Sequence, residues 1–267
     1  MVDGSQCNEN VTVSIGMLWL VEKVFKALEL DTYLDSLKRN QGVRFSTVVK
    51  ALVAFAAQSR GLSVLNLSEL AADPLRMSLH GLPPGTKLND LYRAIDRLAE
   101  NRYGIQRHIL TVLKRKYHIT LREVYVDWSS SYIDGKATMH VRFGYSKDHR
   151  PDRPQVSYGI AVDGATGLPV ALTVERGNIN DNVHFRRTFG VIARFLPKGA
   201  HVVFDAGANG KVNKDLLVGR GHHFLTRAEI NGSDMKHLDL YRQGWQYLPD
   251  GTLASRFEGN LAWIRHP

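Results

Sequence analysis

The sequence contains two short apolar runs that each end in an aspartate, Val124-Tyr125-Val126-Asp127 and His201-Val202-Val203-Phe204-Asp205. Runs of β-branched and aromatic residues are typical of buried strands. An acid at the end of such a strand lies where the sheet stops and ligands bind. Two carboxylates held side by side repel each other unless a divalent cation lies between them. The two runs therefore predict a Mg²⁺ site formed by Asp127 and Asp205, of the kind used for phosphoryl transfer.

The composition indicates a nucleic-acid partner. The chain has 267 residues, 43% of them apolar, and 35 Lys and Arg against 26 Asp and Glu, which gives a net charge of +9. Residues 102–153 hold eleven of the basic residues and five of the acids, so +6 of the net charge lies in about one fifth of the chain. Clustered basic charge of this kind is typical of surfaces that bind nucleic acid.

Other features narrow the class of protein. The single cysteine, Cys7, excludes an intramolecular disulfide and provides no metal-binding cysteine pair. The apolar stretch from residue 11 to residue 21 is too short for a membrane span, and no basic leader precedes it, so neither a span nor a signal peptide is predicted. We therefore expect a cytoplasmic protein with no membrane partner.

The first half of the chain has the periodicity of helices. After a polar tail over residues 1–15, apolar residues recur at helical spacing from Met17 to Tyr117, which predicts a helical N-terminal domain over 16–118. One predicted helix covers Phe45–Gln58, with Ser46 as its cap and Gly61 as its stop. Another covers about 88–100, and a separate one after it ends in Lys114-Arg115-Lys116.

The periodicity then changes to that of an α/β domain over residues 119–227. Strands are predicted at 121–127, 156–163, 168–174, 201–204 and 223–226, with helices from Asn180 or Asp181 to Leu196 and over 211–218. The turn at 164–167 makes the second and third strands an antiparallel hairpin, whereas a helix between two strands implies a parallel crossover. A mixed sheet with flanking helices results.

Several motifs within this domain resemble one insertion-sequence branch of the DDE transposases, whose catalytic core has a ribonuclease H-like fold. Residues 142–155 resemble the linker that follows the first acid, Gly177-Asn178-Ile179-Asn180-Asp181 resembles the next marker, and Asp205-Ala206-Gly207 resembles the context of the second acid. The resemblance covers about 127–217 and has its motifs in the family's order. The fold class that it implies is a ribonuclease H-like mixed sheet behind an all-helical domain.

One departure from the family concerns its third acid. The family has a glutamate on a later helix, often within a Tyr-x2-Arg-x3-Glu-x6-Lys signature, and no such signature follows Asp205. Glu229 and Glu258 are the only glutamates beyond it, and neither falls on a convincing helical pattern. Residues 228–267 resemble the start of the β-rich insertion that separates the last two acids in this branch. We therefore expect a C-terminally truncated reading frame that is a poor or inactive catalyst.

The resemblance also implies the chemistry and the partners. Asp127 and Asp205 are the implied catalytic metal ligands for two Mg²⁺ ions in the intact family, with at most one ion held well here. Double-stranded DNA, as transposon ends and target DNA, is the implied partner, with a possible homo-oligomer in the DNA complex and a nucleoid-associated location in a prokaryotic cell. Arg142, Lys147, Arg150 and Arg153 are the candidate DNA-binding residues, as contacts to the phosphate backbone.

Alternatives stay open for these residues and for the function. Strand-end aspartates also cap turns, and we interpret Asp163 and Asp181 in that way, as a turn residue and a helix cap. The loop that carries Lys147, Arg150 and Arg153, called the basic loop below, could be an ordinary solvated surface. The glycines after Asp205 could admit a phosphate or simply form a turn. Two other functions are possible: an inactive DNA-binding remnant or regulator, and a different ribonuclease H-like nuclease that uses another acid, such as Glu229.

Overall fold

The computed structural model describes residues 16–37, 42–59, 63–83, 85–144 and 149–227, and the backbone of three short strands beyond them. The first half contains six helices in the described residues: α1 (Gly16–Ala27), α2 (Leu30–Ser36), α3 (Phe45–Gln58), α4 (Val64–Ala72), α5 (Pro74–Leu79) and α6 (Leu88–Tyr117). Their apolar faces meet in one cluster that includes Phe25, Leu34, Leu52, Leu70 and Leu91. The predicted helical first half is confirmed.

The N-terminus of α3 differs from the prediction in its cap. The helix begins at Phe45, and Arg44 is the N-cap residue without a side-chain hydrogen bond. Ser46 does not cap the helix: its backbone N–H donates to Asp35 Oδ1 at 2.8 Å. A carboxylate from α2 thus satisfies one of the free amides of α3 and complements its positive end. The predicted stop at Gly61 lies outside the described residues.

Helix α6 corrects the prediction of two separate helices, because it runs for 30 residues without a break. Gly104 lies in its middle, and a Cβ there would lie 2.7 Å from the Tyr33 hydroxyl oxygen. The glycine therefore makes room for a packed neighbour and does not end the helix. Leu91 and Ala94 of α6 belong to the helical cluster, whereas Leu110 and Leu113 belong to the core beneath the sheet. One helix thus contributes to both cores.

The second half is a five-stranded mixed sheet. Its strands are β1 (Glu123–Tyr132), β2 (Gln155–Asp163), β3 (Pro169–Arg176), β4 (His201–Phe204) and β5 (His223–Thr226), in the spatial order β3-β2-β1-β4-β5. The pairs β1–β2 and β2–β3 are antiparallel, and β1–β4 and β4–β5 are parallel. Helices α7 (Asp181–Ile192) and α8 (Lys211–Gly219) connect the later strands. The predicted mixed sheet with flanking helices is confirmed.

One face of the sheet carries the core, and the other is open in the described residues. Alternate residues of β1 are buried, and they pack with α6, α7 and α8 in a cluster that includes Val124, Val126, Trp128, Phe185 and Phe189. The intervening residues point to the opposite face, where Tyr125 is 47% exposed and Leu172 is 49% exposed. Asp127 lies on this open face, because it alternates with Val126 and Trp128.

A polar network within the core attaches α7 to the sheet. His184 is fully buried, and its Nδ1 and Nε2 lie 3.1 Å from Ser157 Oγ and 2.9 Å from Thr173 Oγ1. Thr173 Oγ1 also lies 2.7 Å from Thr188 Oγ1. The residue that leaves space for these groups is Gly159, since a Cβ there would lie 2.7 Å from Thr188 Oγ1. The side-chain polar groups of His184, Thr173 and Thr188 thus have partners, which is the condition for burying them at low cost.

The buried imidazole predicts a loss of stability in mild acid. Burial lowers the pKa of His184 to about 4 from its ordinary 6.5. Glu175 opposes this shift with a smaller raising effect, and Arg187 adds to it with a lowering effect. Between these two pKa values the His184 imidazole is protonated in the unfolded chain and neutral in the folded chain. The free energy of unfolding therefore falls as the pH falls. From pH 6.5 to pH 5 we expect a loss of about 1.5 kcal/mol.

Urea unfolding at a series of pH values measures this loss. A His184→Gln variant should lack the His184 component, whereas His201→Gln, which alters an exposed ring, should keep it. A wild-type unfolding free energy that stayed level from pH 6.5 to pH 5 would contradict the prediction.

Beyond residue 227 the structure describes only backbone. Three short strands, β6 (Gln246–Tyr247), β7 (Leu253–Arg256) and β8 (Ala262–Arg265), pair antiparallel in that order. The predicted β-rich segment at 228–267 is compatible with them, and the domain bounds stay predictions. The polar tail over 1–15 lies outside the described residues, as do Glu229, Glu258 and Lys147. Within the described part of the chain, no helix is both long enough and apolar enough to cross a membrane.

Candidate functional site

The structure brings Asp127 and Asp205 together. Strands β1 and β4 run parallel as neighbours with Val126 opposite Phe204, and the residue that follows each of these two is an aspartate. Adjacent strands of a sheet lie about 4.8 Å apart. Both aspartates line one cavity of about 400 Å³, whose other walls include Tyr125, Ile160 and Val203. Two carboxylates therefore face the same space from neighbouring strands.

Asp127 is not the last residue of its strand, which corrects the sequence prediction. Strand β1 begins at Glu123 and continues to Tyr132, and it is paired with β2 from Val124 to its end. The strand that stops is its parallel neighbour, since β4 ends at Phe204. At Asp127, β1 is therefore no longer paired with β4 on one side but is still paired with β2 on the other. Its Oδ1 accepts a hydrogen bond from the Trp128 backbone N–H at 2.7 Å, which helps to orient the carboxylate.

Asp205 begins a tight loop that other elements hold by hydrogen bonds. A short 3₁₀ turn covers Ala206–Ala208, and α8 starts at Lys211. The Thr226 hydroxyl donates to the Asp205 carbonyl at 3.0 Å, so β5 fixes the start of the loop. Asn209 Nδ2 donates to the Arg227 carbonyl at 3.0 Å, which ties the loop to the end of β5.

The motif that leads into α7, residues 177–181, ends against this loop. Asn180 is the N-cap of α7, because its Oδ1 accepts from the Asn182 backbone N–H at 2.9 Å, and Asp181 is the first helical residue. A Cβ on Gly207 would lie 2.5 Å from Asp181 Oδ2, and one on Gly210 would lie 2.3 Å from Asn182 Oδ1. These glycines serve a tight turn against α7. Asp163 is also a turn residue, since its Oδ2 accepts from the backbone N–H and the hydroxyl of Thr166.

The two carboxylates suit a hard divalent cation. Both side chains are exposed, and among the described residues neither forms an ion pair with Lys, Arg or His. Mg²⁺ prefers oxygen ligands and is commonly held by one or two carboxylates together with water. In the part of the chain that the structure describes, no group of three or more His, Cys, Asp or Glu side chains is arranged to hold a metal ion. Two acids are therefore what the described residues provide.

The candidate DNA-binding residues differ in their surroundings. The backbone of Arg142 pairs with that of Gln155 by two hydrogen bonds of 3.0 and 2.9 Å, which places it beside the start of β2. Arg150 forms a two-point ion pair with Asp152, and this contact lowers the pKa of the Asp152 carboxyl to about 2. Arg153 pairs with Asp134 and Asp152 at 3.1 and 3.4 Å. The loop thus carries acids beside its arginines, a feature that charge counting alone does not reveal.

The histidine pair at the start of β5 lies away from the two acids. His223 is the first residue of β5 and lies in register with His201, the first residue of β4, so both occupy the opposite end of these strands from Asp205. Their rings stack with centroids 5.1 Å apart. His222 is buried, and desolvation, followed by Arg220, lowers its pKa. The interpretation of His222 and His223 as an ordinary strand start agrees with this position.

Sequence reasoning missed the residues that hold the Asp205 loop, chiefly Asn182 and Asn213. Asn213 is fully buried within α8, and both asparagines bond to the loop backbone. The available signal was the run Asn180-Asp181-Asn182, in which one asparagine suffices as a cap. A second asparagine at the start of the same helix indicates another partner.

One known protein family matches the half of the chain that carries the two acids. The sequence model described as "Transposase DDE domain" matches residues 118–260. No curated protein matches the chain. Among solved structures, the chain is similar to a piggyBac transposase synaptic complex with hairpin DNA, with a TM-score of 0.44 and 8% identity over 92% of this chain and 60% of that one. It is also similar to the Mos1 strand transfer complex, with a TM-score of 0.27 and 12% identity over 86% of this chain and 85% of that one.

The chain therefore spans about 60% of the length of the piggyBac chain. The family match is the finding that decides membership, because it covers more than half of the 267 residues. It includes all five strands of the mixed sheet and both aspartates of the shared cavity. The chain belongs to the transposase DDE domain family.

Proposed function

We propose that the chain is a DNA transposase that binds transposon DNA and holds Mg²⁺ with Asp127 and Asp205, the pair that serves strand cleavage and strand transfer in the intact family. The observation that carries this proposal is the pair of carboxylates on neighbouring parallel strands, which face one cavity of about 400 Å³. Family membership supports the class of reaction. The oxygen-only donor set supports the choice of metal.

The residues of the chain have distinct parts in this function. Asp127 provides oxygens for the cation from within β1, and Asp205 provides them from the position that follows β4. When bound, Mg²⁺ would activate the attacking hydroxyl and stabilise the oxygen that leaves during an in-line displacement at phosphorus. The open face of the sheet around Asp127 leaves a DNA backbone room to approach. In this proposal the DNA is bound by the basic loop and by any partner copy of the chain.

Binding of Mn²⁺, a spectroscopically visible substitute for Mg²⁺, tests the site without requiring turnover. Titration followed by electron paramagnetic resonance should show one weak site in the wild type. Asp127→Asn and Asp205→Asn should each weaken it by at least about tenfold, because each removes a charged ligand. Asp163→Asn is the matched control, since Asp163 serves a turn. Equal binding by all four proteins would refute the proposed site.

The contribution of the basic loop to DNA binding is a separate prediction. Charge reversal of Lys147, Arg150 and Arg153 should weaken binding and reduce its dependence on salt by about one unit of slope for each DNA phosphate that is no longer neutralised. Asp152→Asn should have the opposite effect, because it removes the carboxylate that competes with phosphate for Arg150 and Arg153. Fluorescence anisotropy with duplex DNA at several salt concentrations measures both effects.

Arg194→Glu is the control for a charge reversal outside the loop. Arg194 is exposed just after the far end of α7 and stacks on Phe195. If the triple reversal and a single reversal at Arg194 left the same salt slope, the loop would be an ordinary solvated surface.

A DNA-binding regulator without activity is the second candidate function. The observation that favours it is that the described residues supply two acids and no third ligand. Such a protein would bind transposon ends and compete or co-assemble with an active transposase. Metal binding that leaves DNA uncut, together with retained DNA affinity, would distinguish it from the first candidate.

A further inference from the structure

A buried asparagine lies directly behind the Asp205 loop. Asn213 has no exposed surface, and its Nδ2 donates to the Ala208 carbonyl at 2.9 Å and to Asn182 Oδ1 at 3.0 Å. Its Oδ1 accepts from Arg186 Nη1 at 3.0 Å, so every polar atom of the amide has a partner. The arginine also fixes which way the amide faces, because only the oxygen can accept from a guanidinium.

Asn182 extends this set of contacts to both ends of the loop. Its Nδ2 donates to the Gly207 carbonyl at 3.2 Å, and its Oδ1 accepts from the Gly210 backbone N–H at 2.8 Å. The loop can approach this closely because neither residue 207 nor residue 210 has a Cβ. Three positions of the loop, at 207, 208 and 210, are thus bonded to two asparagine side chains.

These contacts join the loop to a rigid part of the fold. Asn182 and Arg186 lie on α7, and the same helix is bonded to β2 and β3 through His184. Asn213 lies on α8, which follows the loop. On the other side, the Thr226 hydroxyl holds the Asp205 carbonyl. The position of the second carboxylate is therefore set relative to the whole sheet and not by β4 alone.

We propose that Asn182, Arg186 and Asn213 form a positioning network, which fixes the Asp205 loop and thereby sets the affinity of the Asp127–Asp205 pair for a divalent cation. The inference rests on the proposed function, since it concerns the same metal site. Groups that orient the ligands of a metal commonly change its affinity by 10–100-fold when they are removed. A metal site without such supporting groups is present but loosely arranged.

Mn²⁺ affinity of single variants of the full chain tests the network. Asn182→Ala should weaken Mn²⁺ binding about tenfold, at the lower end of that range, because the loop keeps its bond to Thr226. Arg186→Ala gives a sharper test. Removal of a positive charge near a cation site should strengthen binding by Coulomb's law, whereas disruption of the network should weaken it. We expect weaker binding, and Arg186→Lys should restore part of it.

Two further measurements separate positioning from general destabilisation. Phe189→Leu alters the buried core side of α7 without touching the loop, so it should lower the urea midpoint and leave Mn²⁺ affinity unchanged. Hydrogen exchange of the Gly210 amide, which donates to Asn182 Oδ1, should accelerate in Asn182→Ala and not in Phe189→Leu.

The outcomes distinguish this inference from the proposed function. If wild-type Mn²⁺ binding does not depend on Asp127, both the proposed function and this inference are wrong. If that dependence holds but folded Asn182→Ala binds Mn²⁺ as the wild type does, the inference alone is overturned. It is also overturned if Arg186→Ala binds more tightly, or if Phe189→Leu weakens binding as much as Asn182→Ala.

Discussion

The purified chain is expected to bind DNA and to give no measurable joining of 3′ ends in Mg²⁺. The described residues provide two carboxylates, which is enough to hold one cation weakly, because Mg²⁺ keeps several waters and takes few protein ligands. Phosphoryl transfer of the two-metal kind needs ligands for a second ion. Loss of one stabiliser of the transition state typically costs on the order of 10²–10³ in rate. Residual strand cleavage should fall below detection in Asp127→Ala.

A strand-cleavage and strand-transfer assay on cognate transposon ends measures this. Asp127→Ala and Asp205→Ala should retain DNA affinity, which separates a catalytic defect from a binding defect. Asp163→Asn, at a turn of the same sheet, should behave as the wild type. Robust Mg²⁺-dependent joining by the wild type that disappears in Asp127→Ala would contradict the prediction. Glu229→Gln and Glu258→Gln would then show which glutamate supplies the third ligand.

The sheet was predictable because its strands differ sharply from their surroundings in sequence. The runs at 201–204 and 223–226 stand out as short apolar segments, and the structure has both strands at those residues. The adjacency of the two aspartates does not follow from the crossover rule alone, since α7 connects β4 to β3 and not to β1. Periodicity and turn residues therefore predicted the strands, and the family resemblance brought the two acids together.

Elements whose limits depend on distant neighbours were not predictable in this way. Strand β1 continues five residues past Asp127 because β2 pairs with it there, and the polar run 129–131 gives no local sign of a strand. Gly104 interrupts the helical pattern, yet α6 continues because Tyr33 occupies the space above the glycine. In both cases tertiary contacts outweigh local preference.

The site shows the same division between local and distant information. Asp127 and Asp205 were recognised because each closes a distinctive local run. Asn182 was missed because it contacts a loop that lies more than twenty residues away in sequence. Asn213 was missed because a buried asparagine has no recognisable local pattern. The pairing of Arg153 with Asp134 was missed for a related reason, since Asp134 is close only in the folded chain.

Gly177→Ala is expected to destabilise the α/β domain strongly. Gly177 follows β3 and lies against the backbone bridge between Arg142 and Gln155. A Cβ there would lie 2.2 Å from the Gln155 carbonyl oxygen and 2.5 Å from the Arg142 carbonyl oxygen. Real Cβ atoms do not approach oxygen so closely, and both oxygens belong to backbone that is hydrogen-bonded on each side. Overpacking of this kind costs about 3 kcal/mol, the upper part of its usual range.

Gly190→Ala is the matched control, because Gly190 lies within α7 with nothing within 4 Å of an added Cβ. Alanine is favoured over glycine inside a helix by up to about 1 kcal/mol, so this variant should be more stable than the wild type. Urea unfolding followed by circular dichroism measures both. Because the Arg142–Gln155 bridge anchors the start of the basic loop, Gly177→Ala should also weaken DNA binding, whereas Gly190→Ala should not. Equal midpoints for the two variants would mean that the bridge can move aside at little cost, and the glycine in this family marker would then need another explanation.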